Sequence, residues 1–428
     1  MARLSGLDVA FLCLETRTRP MHLGAIGVFR PAGPVDLGEL RELLASRAAA
    51  TPLLRQRAHP VWFPPGGAEW RVDDRFRAAE HVRGYHVPDR RTFEAYASGW
   101  MATPLDLSRP PWEIHVVTGL PDDEFAVLLK LHHSLADGAG AVEVAGRLFD
   151  QSAPARPAPP SLPPSLQPSL PPTLDLLSQG RELLTRAGTV LLAARRPPAP
   201  SLVTGSSARR RLAFVRLDLD DVRQIRKQHG GTTNDVALTV VAGALRQWLA
   251  LRNKPVDGVT LRALIPVNTR ARGGADGANR LSAYLCDLPV GLADPLERLR
   301  FVRSAMDRNK AAGPSAGPGA VPILANLIPS ALHRVCTPAA GAAAPLLFDT
   351  VVTNVPLPPR GLALAGAELR EVYPFAPLAA GHGLGVAISA YRDSVHIGLQ
   401  ADHDAVPDLD VLAACLTKAA NTLHERCA

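Results

Sequence analysis

Two adjacent histidines, His132 and His133, are followed by Asp137 and Gly138 at a spacing that can build a proton-transferring loop. An imidazole titrates near neutrality, so a well-placed histidine can take a proton from a hydroxyl and return it to a leaving group. The stretch before them, Phe125 to Leu131, is apolar apart from Lys130, too short for a helix and bounded by Pro121-Asp122-Asp123. That pattern predicts a largely buried strand. After them, Ala139 to Phe149 carries Val142, Val144, Ala145 and Leu148 at helical spacing. The histidines therefore end a strand, and Asp137-Gly138 makes the turn into a helix. Consecutive strand residues point to opposite sides, so only one histidine can face a given cleft while the other packs or hydrogen-bonds behind it. In a tight loop Asp137 returns close enough to fix the loop or the ring. Gly138 permits backbone angles or close approaches that a side chain would block. Catalysis, ligand binding and a structural His pair are all open on these residues. A metal site is the weakest reading: no second cluster of His, Cys or carboxylate stands at ligand spacing, although His382 and His403 could approach in space.

The chain that must position this loop has 428 residues, 46% of them hydrophobic and 20% charged, which is globular rather than disordered and long enough for two or three domains. Five scattered cysteines with no CxxC pair suggest reduced thiols in a cytoplasmic setting. No convincing signal peptide is present, and no apolar run reaches the roughly 18 residues needed to span a bilayer. The formal charge of +7 permits anionic partners. Nucleic acid is disfavoured, because the basic residues are scattered and the aromatic residues do not interleave with them.

Strands and helices alternate in both halves, giving an α/β fold class. The first region, 1–150, holds a short amphipathic segment at Leu4 to Phe11, Met21-His22 at the entry to a strand, and a helix over Asp36 to Ala50. Trp100, Met101, Pro104 and Trp112 supply large apolar groups for its wall. The second region, 151–205, begins with a Pro-rich threefold tetrapeptide that reads as an extended linker. An amphipathic helix over Thr173 to Ala194 follows, packing on its own protein or lying on a membrane surface. The third region, 206–428, opens with a strand over Phe214 to Leu219 and a helix that Asp220-Asp221 could cap. A long apolar helix over Val236 to Leu251 is expected next, with Thr233 or Asn234 at its cap. Leu261 to Val267 and Tyr391 to Leu399 read as strands, Asp294 to Lys310 and Leu409 to Leu423 as helices, and Gly313 to Gly319 as a break.

His132-His133-Ser134-Leu135-Ala136-Asp137-Gly138 resembles the HHxxxDG signature of CoA-dependent acyltransferases and peptide-synthetase condensation domains. Its surroundings narrow the likeness. The segment Pro104 to Glu113 resembles the PLDxxRPLWE element of bacterial wax ester synthase/diacylglycerol acyltransferases, with Pro111 where that family usually has Leu. Further likenesses follow along nearly the whole chain: the opening Leu4 to Phe11, Pro20-Met21-His22, Pro52 to Arg57, Asn234-Asp235, Pro266 to Arg270, Asn279 to Ser282 and Asn354-Val355-Pro356. Leu357 stands where the family has Gly, and Leu384-Gly385 where it shows GLN.

The resemblance implies two chloramphenicol-acetyltransferase-like domains with an active-site channel between them. It implies long-chain acyl transfer from acyl-CoA to diacylglycerol or a fatty alcohol, with His133 as general base, His132 beside it, and Asn234 near the catalytic histidine. It also offers Arg270 as a salt-bridge partner for Asp137; an exposed loop arginine is the other reading. No cofactor is implied beyond acyl-CoA as co-substrate. A lipid acceptor requires peripheral contact with a membrane or droplet. A condensation-type transferase fed by a carrier protein and a non-catalytic lipid-binding protein are the alternatives.

Overall fold

The computed structural model describes residues 2–63, 65–151, 202, 207–268, 281–312, 325, 328–358 and 360–427. The chain runs β1 (Ala2–Arg3), α1 (Gly6–Leu14), β2 (His22–Arg30), α2 (Leu37–Ala49), β3 (Gln56–Pro60), β4 (Ala68–Val72), β5 (Val82–His86), α3 (Arg90–Ala102), β6 (Trp112–Thr118), β7 (Phe125–His132), α4 (Gly138–Leu148) and β8 (Asp150–Gln151). Further along come β9 (Arg210–Asp218), α5 (Leu219–His229), α6 (Thr233–Leu251), β10 (Leu261–Asn268), β11 (Leu281–Leu288), α7 (Pro295–Ala312) and α8 (Ser330–Ala342). β12 (Thr350–Asn354), β13 (Leu362–Leu364), β14 (Ala367–Phe375), β15 (Leu384–Tyr391), β16 (Ser394–Asp402) and α9 (Leu409–Glu425) complete it. The expected helix over 173–194 and the break over 313–319 lie outside the described residues.

Two mixed sheets carry the fold, one ordered β5-β6-β7-β2-β14-β13-β8 and the other β11-β10-β12-β15-β16-β9. The first is completed from far along the chain: β14 pairs antiparallel with β2, placing Tyr373 opposite Ile26. β7 lies inside this sheet, between β6 and β2, and is buried along its length, so its two faces serve two different layers. One face packs with Trp112, Ile114 and Val116 toward α2 and α4. The other packs Ala126 and Leu128 against Phe93, Ala97 and Met101 of α3. Where the sheets approach, Gly398 of β16 lies against the Pro374 carbonyl of β14, and an added Cβ would stand 2.0 Å from that oxygen.

Capping follows side-chain chemistry, with two shifts from expectation. Asp36 accepts from the Glu39 amide at 3.0 Å, and Asp294 accepts from Leu296 and Glu297, each at 2.8 Å. At α5 the cap is Asp218, which accepts from the Asp220 amide, rather than Asp220 or Asp221; those two sit in the first turn, where the helix dipole favours them. At α6 the cap is Thr232, not Thr233 or Asn234, and Asp235 reaches back to the Thr232 amide at 2.7 Å to close a capping box. The run Tyr391 to Leu399 is not one strand: it crosses a tight turn in which Arg392 takes a left-handed φ of 54°, so β15 and β16 form a hairpin. Pro104 is exposed instead of walling the core, while Trp100, Met101 and Trp112 are buried as the apolar pattern requires.

Candidate active site

His132 and His133 leave β7 on opposite faces. The His132 amide donates to the Pro111 carbonyl at 2.9 Å and the His133 amide to Met21 at 2.8 Å, so neighbouring segments on both sides pin the strand end. Asp137 then caps α4: its Oδ1 accepts from the Gly140 amide at 2.8 Å. The loop between strand and helix is thereby fixed at both ends. Of the two parts expected of Gly138, the special backbone angle is not used. Its backbone is not left-handed, and an added Cβ would meet only Val355, at an ordinary 3.8 Å. It lines the cavity described below, so a side chain there would take up cavity volume rather than strain the chain.

His132 is fully buried in a polar network. Its Nδ1 accepts from the Ser134 amide at 3.1 Å and lies 2.7 Å from Ser134 Oγ. Since a backbone N–H can only donate, Nδ1 is the acceptor nitrogen and the ring proton sits on Nε2. That nitrogen faces Glu15 Oε2 at 3.6 Å, and the same carboxylate accepts from the Met21 amide. His22, opposite His132 in the β2–β7 register, bonds through Nε2 to the Met101 carbonyl at 3.0 Å.

Two residues back on the same face, Lys130 is wholly withdrawn from water. Its ammonium donates to Glu113 at 2.6 Å and to the carbonyls of Trp100 and Thr103 at 2.8 and 2.9 Å, which uses all three protons. Burial pushes the amine down from its ordinary value, opposed by the Glu113 charge. This lysine thus plugs the carbonyl end of α3 while anchoring the strand that carries the histidines.

His133 points the other way, into a cavity of about 560 Å³ between the two sheets. The Phe11 ring of α1 stacks on its imidazole with centroids 3.9 Å apart and planes 18° from parallel. Loss of water around the ring holds its pKa down to about 4, and the neighbouring His132 pushes the same way. The imidazole is therefore neutral at physiological pH. Around it the cavity walls are aliphatic: Leu129 and Leu131 from β7, Ala141 and Ala145 from α4, Leu264 and Val351 from the second sheet, and Ala340 from α8. Such an enclosed, mainly apolar volume with an imidazole on its wall suits an apolar substrate reacting at a polar centre.

The remaining sequence candidates fall in several places. Asn234 sits half-buried in the first turn of α6 and does not line the cavity. Arg270 lies outside the described residues. Leu357 is on the cavity wall, whereas Gly385 is packed under Leu378, 3.2 Å from where its Cβ would be, and acts on the cavity through that residue. Among the described residues no His, Cys, Asp and Glu side chains cluster as a metal would need. His382 is held by the carbonyls of Ala380 and Phe348, and His403 by Asp404. Glu15, Ser134, Phe11 and the Lys130–Glu113 pair were missed from the sequence. Glu15 is the one acid among the basic and polar residues that separate α1 from β2, which was the available signal.

A histidine facing an apolar cavity between two sheets, on an HHxxxDG loop, accords with the class: an acyltransferase of the chloramphenicol-acetyltransferase-like fold. The chain belongs to the wax ester synthase/diacylglycerol acyltransferase family, and is an O-acyltransferase. The model of that family's catalytic domain matches residues 4–237, and the model of its C-terminal domain residues 277–424. The chain is 32% identical to the Mycobacterium tuberculosis protein named "Probable diacyglycerol O-acyltransferase tgs2", with 98% of each covered. It is 31% identical to that organism's "Probable diacyglycerol O-acyltransferase tgs1", covering 96% of this chain and 94% of that protein. The solved wax ester synthase/diacylglycerol acyltransferase from Marinobacter aquaeolei VT8 shares the fold over 100% of both chains, with a TM-score of 0.73 at 24% identity.

Proposed function

We propose that the protein transfers a long-chain acyl group from acyl-CoA to the hydroxyl of diacylglycerol or a fatty alcohol. The observation that carries this reading is His133: a neutral imidazole facing a large aliphatic cavity, braced by Phe11. The acceptor hydroxyl gives its proton to the imidazole as its oxygen attacks the thioester carbonyl, and the tetrahedral adduct collapses with loss of CoA thiolate. The imidazolium returns the proton to that sulfur, so no covalent enzyme intermediate is needed. A ring held near pKa 4 is a weak base, so proton transfer runs together with attack rather than ahead of it. His132 holds the strand end, and Asp137 holds the loop.

Both substrates are lipids or carry lipid chains, yet among the described residues no helix is long and apolar enough to cross a membrane. The acceptor is therefore met by peripheral contact with a bilayer or droplet. The test is incubation of the protein with labelled acyl-CoA and either diacylglycerol or hexadecanol, with products separated by thin-layer chromatography. Labelled triacylglycerol or wax ester is expected. Turnover only with a carrier-protein-bound donor would replace the reading with a condensation-type transferase, and binding without product would make the protein a lipid binder.

A further inference from the structure

α8 is built the wrong way round for a helix that meets water. Its buried side chains are polar, His333 and Thr337, which bond to each other at 2.8 Å. Its outward side chains are apolar: Leu332 is 50% and Val335 72% exposed, and Ala331, Ala339 and Ala342 are exposed with them. Arg334 is the one charged residue from 330 to 346. A surface helix ordinarily turns its leucines inward and its charges out. Beside the start of α8 stands the turn between β3 and β4, which carries Trp62 at 93% exposure and Phe63 at 66%. The two pieces abut, because a Cβ on Gly66 of that turn would lie 2.7 Å from the Ser330 carbonyl oxygen. Single exposed apolar residues are ordinary, but an aromatic tip continuous with an apolar helix face is an interaction surface.

We propose that this surface seats the protein on lipid, with Trp62 and Phe63 entering the headgroup boundary and the outer face of α8 lying on the acyl chains. This rests on the acyltransferase reading above and names the surface that serves it. What favours lipid over a second protein is the other side of the same helix. Thr337, Ala340 and Gly341 line the cavity that holds His133, so a lipid-facing surface and the reaction cavity are separated by one helix. An acceptor that is insoluble in water then passes from bilayer to cavity beside α8 without crossing water. Aromatic rings that are apolar with a polar edge favour the interface, and Arg334 with the chain's charge of +7 favours anionic headgroups.

The experiment compares the full-length protein with Trp62→Ser/Phe63→Ser and Leu332→Glu/Val335→Glu, none of which alters a cavity residue. Flotation uses phosphatidylcholine vesicles containing diacylglycerol, with and without phosphatidylserine. The wild type is expected to float, and each double variant to lose about tenfold or more of its partitioning. Turnover of vesicle-borne diacylglycerol is expected to fall in step, while turnover of water-soluble 1-hexanol stays unchanged. Independently of any variant, wild-type tryptophan emission is expected to shift to the blue on adding vesicles. Variants that fold and float like the wild type would overturn the proposal. So would a wild type that neither floats nor shifts, or one that runs as a dimer which the variants split, since the patch would then be a protein interface. Flotation and emission need no turnover, so a protein inactive on every acceptor would remove the functional reading and leave this one decided on its own.

Discussion

The two faces of β7 are made from alternate residues of one strand, yet they are chemically opposite. On one, the Lys130 ammonium is matched to Glu113 and to the Trp100 and Thr103 carbonyls and His132 Nδ1 to Ser134, while His132 Nε2 faces the Glu15 carboxylate at 3.6 Å. On the other, Leu129, Leu131 and His133 look into an aliphatic cavity. A buried polar group without partners costs free energy, so a satisfied network holds one geometry and resists change. On the cavity face the imidazole stands against the stacked Phe11 ring and aliphatic walls. The walled face therefore fixes the position of the strand end, and the open face uses that position. Mutations on the first should be read mainly in stability, and on the second mainly in rate.

The largest effect should come from His133→Ala. Removing a general acid–base group costs about 10²–10⁴-fold in turnover, and because the ring faces a cavity the melting temperature should hardly move. Equal turnover by a folded variant would remove His133 from the chemistry. Next is Lys130→Met. It leaves Glu113 without its cation and two helix-end carbonyls without donors, so a loss of about 3–5 kcal/mol in urea unfolding is expected. An unchanged unfolding midpoint would show that the pair contributes nothing beyond what a thioether could. Smaller still is His132→Ala, which takes from Ser134 its imidazole partner and should cost about 1–3 kcal/mol with a partial loss of rate. If His132→Ala matched His133→Ala in turnover at unchanged stability, the division between the two faces would fail.

Much of this was legible in the sequence because the signals are local. The apolar run 125–131, the helical spacing after Ala139 and the alternation of strand side chains put the histidines at a strand end on opposite faces. The helix starts at Asp36 and Asp294 were legible for the same reason. What escaped is non-local. Nothing near Lys130 shows that Glu113 and the end of α3 will meet it, so it read as a break in an apolar run when it is an anchor. Glu15 reaches His132 only once α1 folds across the end of β2 and β7. The strand over 367–375 joins the first sheet by pairing with β2, about 340 residues earlier, which periodicity cannot register. The hairpin at Arg392 was hidden because apolar alternation continues on both sides of a two-residue turn.

The last and smallest effect separates the faces by pH. Histidines on both sides are held below their ordinary value, mainly by loss of water: His133 on the cavity face and His115 on the walled face down to about 4, with His22 well below the usual range. In the unfolded chain these rings titrate near 6.5. Between 6.5 and the folded values the unfolded state therefore binds more protons, and stability must rise with pH across that interval. It is fully present above about 6.5 and is lost as pH falls toward 4. Urea midpoints measured from pH 7.5 down to 4.5 should decline, and should decline almost as steeply in His133→Ala, because His22 and His115 remain. Catalysis reads the cavity face alone. With His133 neutral down to about 4, kcat/KM should show no acid limb near 6.5 and stay level from about pH 8 to 5. A limb at 6.5 beside an unchanged stability profile would mean that water reaches the ring, and that the cavity face is wetter than Phe11 and its aliphatic walls imply.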